Sequence, residues 1–274
     1  MSETAAAVAT DTAAVRARRA GFVRDAATLA GRAVRAIPRE PEAVIPALIV
    51  PIFFYVINIG ALQNLAQKSG TVPDYKAFEL PVAIIFAVTG VSRAGALVTD
   101  IQNGYFDRLL MTPVRRLALL LGLMVADFVL VVTLTVPVLV MGLLLGVHFA
   151  SGVAGAVVFV LLAGLWGVVF TGFPYAIALK TGNPAAVNAS FILFFPFAFL
   201  TTSFLPKQAL TGWLGRIADY NPVTYLLSGL RSLLTDGWKA SLLIESLVAI
   251  LGVGLVSLSL ALLALRGRVR RSAD

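Results

Sequence analysis

The sequence predicts an all-α polytopic membrane protein with six transmembrane helices, and three observations carry that prediction. Of the 274 residues, 59% are hydrophobic and only 13% are charged, against about 25% charged in a soluble domain. Mean hydropathy is +0.91. Six apolar runs are each long enough to cross a bilayer, which takes about 18 residues or more. An ordinary globular fold is excluded.

Residues 1–14 are rich in Ala and Thr and predict a disordered start. Residues 15–40 carry an amphipathic pattern. Val15, Phe22 and Leu29 recur every seventh position, Ala26, Ala33 and Ile37 lie near the same stripe, and arginines fill other faces. Such a helix would lie on the inner leaflet with its arginines toward anionic lipid. A solvated basic tail is the alternative, and Pro38 and Pro41 would end either. A transmembrane domain over 41–266 then holds spans at about 43–62, 80–98, 117–147, 153–179, 185–205 and 241–265, and 267–274 is a basic tail. The 117–147 run exceeds what a span needs, so it tilts or projects beyond the bilayer.

Six spans put both termini on one side. That side collects the N-terminal arginines, Arg108, Arg115, Arg116, Lys180, Arg266, Arg268, Arg270 and Arg271, while Lys68, Lys76, Lys207, Arg216, Arg231 and Lys239 fall opposite. The excess places both termini in the cytoplasm. It also accounts for the net charge of +8 without a nucleic-acid partner. The absence of cysteine and the single histidine, His148, exclude disulfides, thiol chemistry and a dedicated zinc site, so no metal site is expected. Nothing in the first 40 residues resembles a signal-peptide core.

Between the second and third spans, residues 104–116 alternate charge (Asp107, Arg108, Arg115, Arg116) with Phe106, Leu109, Leu110 and Met111. Phe106, Leu109 and Leu110 fall at i, i+3 and i+4, one helical face, and Pro113 after Thr112 favours a break. This pattern reads as a docking element rather than a tether. The segment 206–240 is too apolar for a free loop and too short and charged to span. Re-entrant or interfacial helices divided at Asn221-Pro222 meet both limits.

Two motifs resemble the permease subunits of type-2 ABC exporters, in particular the daunorubicin-resistance-like branch. The first is Asp100…Gly104…Asp107-Arg108-Leu109-Leu110…Thr112-Pro113…Arg116; the second is Asn221-Pro222…Tyr225…Leu230-Arg231. Where that family commonly carries glutamate, this chain has Asp100 and Asp107. The resemblance implies that Asp100, Gly104, Phe106, Asp107, Arg108, Leu109, Leu110, Thr112, Pro113 and Arg116 form a coupling helix seated on a cytosolic ATPase, with the N-terminal helix beside it. It implies that Asn221, Pro222, Tyr225 and Arg231 belong to outer re-entrant helices, and that two permeases face each other. No Gly-x-x-x-x-Gly-Lys-Ser/Thr loop occurs in the sequence, so the chain is not expected to be an enzyme. ATP and Mg would be bound by a separate pair of ATPase subunits.

Arg93 and Asp127 are the ionisable groups set most clearly inside spans, where such residues face the bundle or pair. Counted from the cytoplasmic ends, their depths differ by about 4–5 Å at about 1.5 Å per residue, so they can meet. The alternative for Arg93 is a side chain reaching the headgroups. Glu245 reads as interfacial or as part of an outer gate. In the fifth span Phe191, Phe195, Phe199 and Thr202 are candidates to line the pathway, although bulky aromatics in such helices also simply pack. The expected function is ATP-driven export of an amphiphilic drug, metabolite or lipid by a multi-pass protein of the bacterial cytoplasmic membrane, working with a second permease copy or paralogue. An ion-coupled carrier and an exporter of lipid-linked polysaccharide are the alternatives.

Overall fold

The computed structural model describes residues 22–36, 41–68, 70, 72–89, 91–110 and 116–271, and the regular structure among them is helical. Helix α1 (Phe22–Ala36) precedes the long α2 (Pro41–Lys68). Helices α3 (Tyr75–Thr89) and α4 (Ala94–Gln102) make one interrupted span, and the short α5 (Tyr105–Leu110) follows. Next come the continuous α6 (Arg116–Leu144) and the pair α7 (Gly152–Phe170) and α8 (Gly172–Thr181). Helix α9 (Pro184–Ala189), a 3-10 turn (Ser190–Leu193) and α10 (Phe194–Phe199) form a broken segment. Helices α11 (Gly212–Tyr220) and α12 (Pro222–Thr235) lie before the last helix, α13 (Ala240–Arg271). The expectations for residues 1–14 and 15–21 lie outside the described residues.

Among the described residues, five helices are long and apolar enough to cross a membrane: Val44–Lys68, Tyr75–Gln102, Leu117–Leu144, Gly152–Thr181 and Ala240–Val269. The expected span at 185–205 departs from this set. It is a shorter apolar helix, Pro184–Phe199, that passes through a 3-10 turn and stops before Leu200. Side chains from the neighbouring helices account for the stop. The Asn221 amide donates to the carbonyls of Phe197 and Leu200 at 2.8 Å each, and Thr201 Oγ1 bonds Thr224 Oγ1 at 2.6 Å. Those bonds satisfy the end of a helix that the apolar run alone would have carried further.

Helix α3 is central, packing on α2, α6, α7 and α12. Its core includes Tyr55, Leu80, Ile84, Phe159, Trp166 and Phe194. The one polar atom of the Trp166 ring is satisfied at depth, its Nε1–H donating to Thr89 Oγ1 at 3.0 Å. At the periphery, α2 exposes Ile49, Phe53 and Ile57, and α13 exposes Leu251, Leu255 and Leu263. Apolar faces of that extent are stable against lipid, not water. Helices α8 and α13 come very close: a Cβ at Gly172 would stand 2.7 Å from the Ser257 carbonyl carbon. Small residues allow such an approach between spans.

Helix α1 lies against α6 rather than on lipid alone, with Ala30 buried in the contact. Arg24, Arg32 and Arg35 are all exposed on this helix, and Arg32 is in addition held by the bundle through a 2.6 Å bond to Asp100.

Candidate functional site

The residues singled out in the sequence gather at the two ends of the bundle. At one end, α4 runs into α5 through a turn at Asn103-Gly104, where Gly104 has φ +68°. That left-handed conformation costs a side-chain-bearing residue about 1–2 kcal/mol, so glycine fits the turn. The Gly104 N–H donates to Ile101 O at 3.1 Å, and the Arg108 N–H donates to Gly104 O at 3.2 Å. The turn between α4 and α5 therefore keeps hydrogen bonds on both sides of Gly104.

Phe106 is 4% exposed and packs with Leu97, Ile101, Leu119, Tyr175 and Leu265. It anchors α5 to the bundle, so it is not part of a surface offered to another protein. Leu109 packs partly against the same cluster, and Arg108 is exposed. Asp107 and Leu110 belong to α5, and Arg116 opens α6. Thr112 and Pro113 lie outside the described residues. Asp100, near the end of α4, takes a bond from Arg32 Nη2 at 2.6 Å, and the same guanidinium sits 4.5 Å from the centre of the Tyr105 ring. One arginine thus ties α1 to both α4 and α5. Gln102 Nε2 donates to Gly182 O at 3.0 Å, fastening this end to the end of α8.

About two turns deeper, residues 91–93 are not helical, and Arg93 stands at the N-cap of α4. The Arg93 backbone N–H donates to Asp127 Oδ1 at 2.8 Å, and the Tyr175 hydroxyl donates to Asp127 Oδ2 at 2.6 Å. Asp127 is fully buried. Arg93 and Asp127 do meet, with the backbone amide of the interrupted helix making this contact. The carboxylate joins α4, α6 and α8. A break in a spanning helix is tolerated where neighbouring groups satisfy the freed amide, and Asp127 does that here.

At the opposite end, Asn221 and Pro222 open α12 as N-cap and first helical residue. Asn221 Oδ1 accepts from the Val223 N–H at 3.0 Å. The Asn183-Pro184 pair opens α9 in the same way, with a 2.9 Å bond from the Ala185 N–H. Tyr225 reaches back so that its hydroxyl donates to Asp219 O at 2.5 Å. Arg231 is a clamp. Its Nε donates to Phe78 O at 2.9 Å and its Nη1 to Thr202 Oγ1 at 3.1 Å, while Cζ lies 3.4 Å from the centre of the Phe78 ring. Thr202 is buried in this contact, which corrects its assignment to a pathway lining. Beyond α10, Lys207 is bonded to Asp219 at 2.7 Å, and that bond raises the pKa of its exposed ammonium.

Phe191, Phe195 and Phe199 do line a cavity, of about 540 Å³, between α2, α3 and the α9–α10 segment. Phe195 and Phe199 stack with ring centres 5.6 Å apart. The same cavity is lined by Glu79, which the sequence reading left just outside the second span. Glu245 lines a separate hollow of about 500 Å³ beside Tyr220 and Tyr225.

The family model of the ABC-2 type transporter matches residues 25–235. The chain belongs to the ABC-2 type transporter family. It is 27% identical over 222 residues to the daunorubicin resistance ABC transporter permease protein DrrB1 of Streptomyces coeruleorubidus, covering 80% of this chain and 78% of that one. It is 24% identical over 219 residues to the probable doxorubicin resistance ABC transporter permease protein DrrC of Mycobacterium tuberculosis, covering 80% and 79%. Similarity extends to the putative transport permease ycf38 of Cyanophora paradoxa, 24% identical over 220 residues and covering 77% and 74%. As an ABC-2 permease, the chain is the membrane-spanning subunit of an ABC exporter and works with ABC ATPase subunits. The matched region includes α4–α5, the Asp127 junction and all of α11–α12.

Proposed function

We propose that this permease moves an amphiphilic drug, secondary metabolite or lipid out of the cytoplasm or inner leaflet of a bacterial cytoplasmic membrane. Both termini and α5 face the cytoplasm. Two ATPase chains bind ATP and Mg there, and this chain hydrolyses nothing itself. A second copy or a paralogue completes the permease pair.

The observation that carries this reading is the Arg32 clamp. The 2.6 Å bond to Asp100 and the stacking on Tyr105 make α1, α4 and α5 one unit at the end of the bundle. Arg108 is exposed on that unit, available to a partner. A push on α5 would move α4 with it, because Phe106 and Leu109 are packed into the same cluster as Leu97 and Ile101. The helix break before α4 is where that movement can be absorbed, and Asp127 carries it to α6 and α8. Rearrangement of packed helices about such a junction is a two-state movement that a partner's differential contacts can drive. The drug-resistance names of two relatives support an amphiphilic cargo.

The test is an affinity pull-down of the tagged chain from mildly solubilised native membranes, comparing wild type with Asp107→Arg/Arg108→Glu. A stoichiometric ATPase that is lost in the double variant is the expected result. Failure of any ATPase to copurify with an intact permease pair overturns the coupling role of this end.

A further inference from the structure

The cavity between α2, α3 and α9–α10 combines two features that rarely coexist in a spanning bundle. Its walls are almost wholly apolar, with Phe86, Phe191, Phe195 and Phe199 presenting rings to it. Set into that wall is a carboxyl group, Glu79, only 2% exposed. Its Oε1 accepts from Asn58 Nδ2 at 2.8 Å. Among the described residues its buried Oε2 has no hydrogen-bond partner.

The guanidinium that acts on Glu79 through space among the described residues, that of Arg231, directs its donors elsewhere. They go to Phe78 O, Thr202 Oγ1 and, at 3.4 Å, Ser203 O. Asn58 can donate to one oxygen and leaves the other. An unsatisfied carboxyl oxygen inside a membrane bundle is expensive unless something outside the fold completes it. The complement must carry a positive charge or a strong donor, and it must bring enough apolar surface to occupy the aromatic wall. Ring faces attract organic cations directly, and Phe191 and Phe195 stand 5.3 Å apart at the wall, with Phe199 stacked beyond. The volume of about 540 Å³ suits one drug-sized molecule.

We propose that this cavity binds an amphiphilic organic cation. Glu79 contacts the positive head, and Phe191, Phe195 and Phe199 hold the apolar body. The proposal rests on the reading of the chain as a permease for amphiphiles and narrows that cargo to molecules with a positive group. Glu79 is a specificity residue in this scheme: an uncharged amphiphile could use the rings but would leave Oε2 unmatched.

The test uses the full-length permease in nanodiscs of zwitterionic phosphatidylcholine, with empty nanodiscs subtracted. Tetraphenylphosphonium and tetraphenylborate share shape and apolar surface and differ in sign, so their equilibrium binding to the wild type reads the charge preference without any variant. Tetraphenylphosphonium is expected to bind at least tenfold more tightly. Glu79→Gln should erase that preference while leaving the binding of uncharged Nile red unchanged. Glu79→Asp should retain most of the preference, which separates charge from folding, and Phe195→Ala should weaken both tetraphenylphosphonium and Nile red.

Equal binding of the two ions by the wild type overturns the proposal and assigns the cavity to lipid chains or to side chains of a second permease. So does an unaltered preference in a folded Glu79→Gln protein. Binding here needs no ATPase. A chain that recruits its ATPase yet shows no charge preference therefore loses this proposal alone. A chain that binds the cation but recruits no ATPase loses the coupling role instead.

Discussion

Arg93 and Asp127 meet across a helix break: the Arg93 backbone N–H donates to Asp127 Oδ1 at 2.8 Å. The second span gives up helical bonds between α3 and α4, and a carboxylate from α6 takes over the amide thereby freed. Tyr175 binds the other oxygen, so one side chain joins three helices at the place where the span is interrupted. This arrangement gives Asp127 a structural reason to be in the bundle, independent of any proton-coupled chemistry.

Removing that carboxylate should loosen the junction in a graded way. Asp127→Asn keeps one carbonyl acceptor and is expected to cost about 1 kcal/mol. Asp127→Ala strands two buried donors and should cost about 3 kcal/mol or more, since each unsatisfied buried group costs about 1–3 kcal/mol. Tyr175→Phe removes a donor and should fall near the smaller figure. Thermal unfolding in detergent, paired with hydrogen exchange across residues 91–97, checks the order. If Asp127→Ala leaves exchange at those amides unchanged, the junction is not what holds the break.

The Arg32–Asp100 pair should matter for coupling much more than for stability. Both side chains are partly exposed, and such pairs contribute roughly 0–1 kcal/mol. Arg32→Asp and Asp100→Arg are each expected to lower ATP-driven export severalfold with little change in melting temperature. The combined swap should restore most of the export, because the α1–α4 contact is re-formed with reversed charge. Equal loss in the swap and in the single variants would show that the two residues act separately.

Helix type and most of the membrane-crossing segments could be read from the sequence because an apolar run of spanning length has few other stable forms. The run at 185–205 misled for a definable reason. Hydropathy cannot register that Asn221, far along the chain, takes the carbonyls of Phe197 and Leu200. The Arg93–Asp127 meeting was legible from depth alone, but the atom that makes the bond was not, since a backbone amide has no sequence signature until the helix is known to break. Glu79 was missed because it was placed just beyond the predicted end of a span, where a carboxylate looks solvated. Its one available signal was Asn58, a polar residue inside the first apolar run. Phe106 matched the coupling motif, yet its amphipathic position also fits an anchor, and burial decides for the anchor.

Gly104 should tolerate asparagine better than alanine. Among the described residues, chain neighbours aside, nothing lies within 4 Å of where a Cβ would stand, so the penalty they set is the φ of +68°. Gly104→Ala is expected to cost about 1 kcal/mol or slightly more, and asparagine, which enters this region more readily, less. The reading is the amount of ATPase retained in the pull-down together with the melting temperature. Identical behaviour of the two variants would mean that the turn relaxes and does not fix the angle between α4 and α5.

Asn221 performs two tasks that can be separated by substitution. Its Oδ1 caps α12 through the Val223 N–H, and its Nδ2 holds the end of α10 through the carbonyls of Phe197 and Leu200. Asp can keep the cap, because a carboxylate is an equally good acceptor at that position, but it has no donor for the two carbonyls and sets negative charge against them. Ser keeps a weaker cap and removes that repulsion. Asn221→Asp is therefore expected to destabilise more than Asn221→Ser, by about 1–2 kcal/mol, even though aspartate ranks with asparagine as a cap. Asn221→Ala should lose both functions and cost about 2–3 kcal/mol. Chemical denaturation of the detergent-solubilised protein gives the order, and exchange at residues 197–203 shows whether α10 has been released. Should Asp prove as stable as the wild type, the cap alone explains Asn221, and the fifth apolar segment ends at Phe199 for another reason.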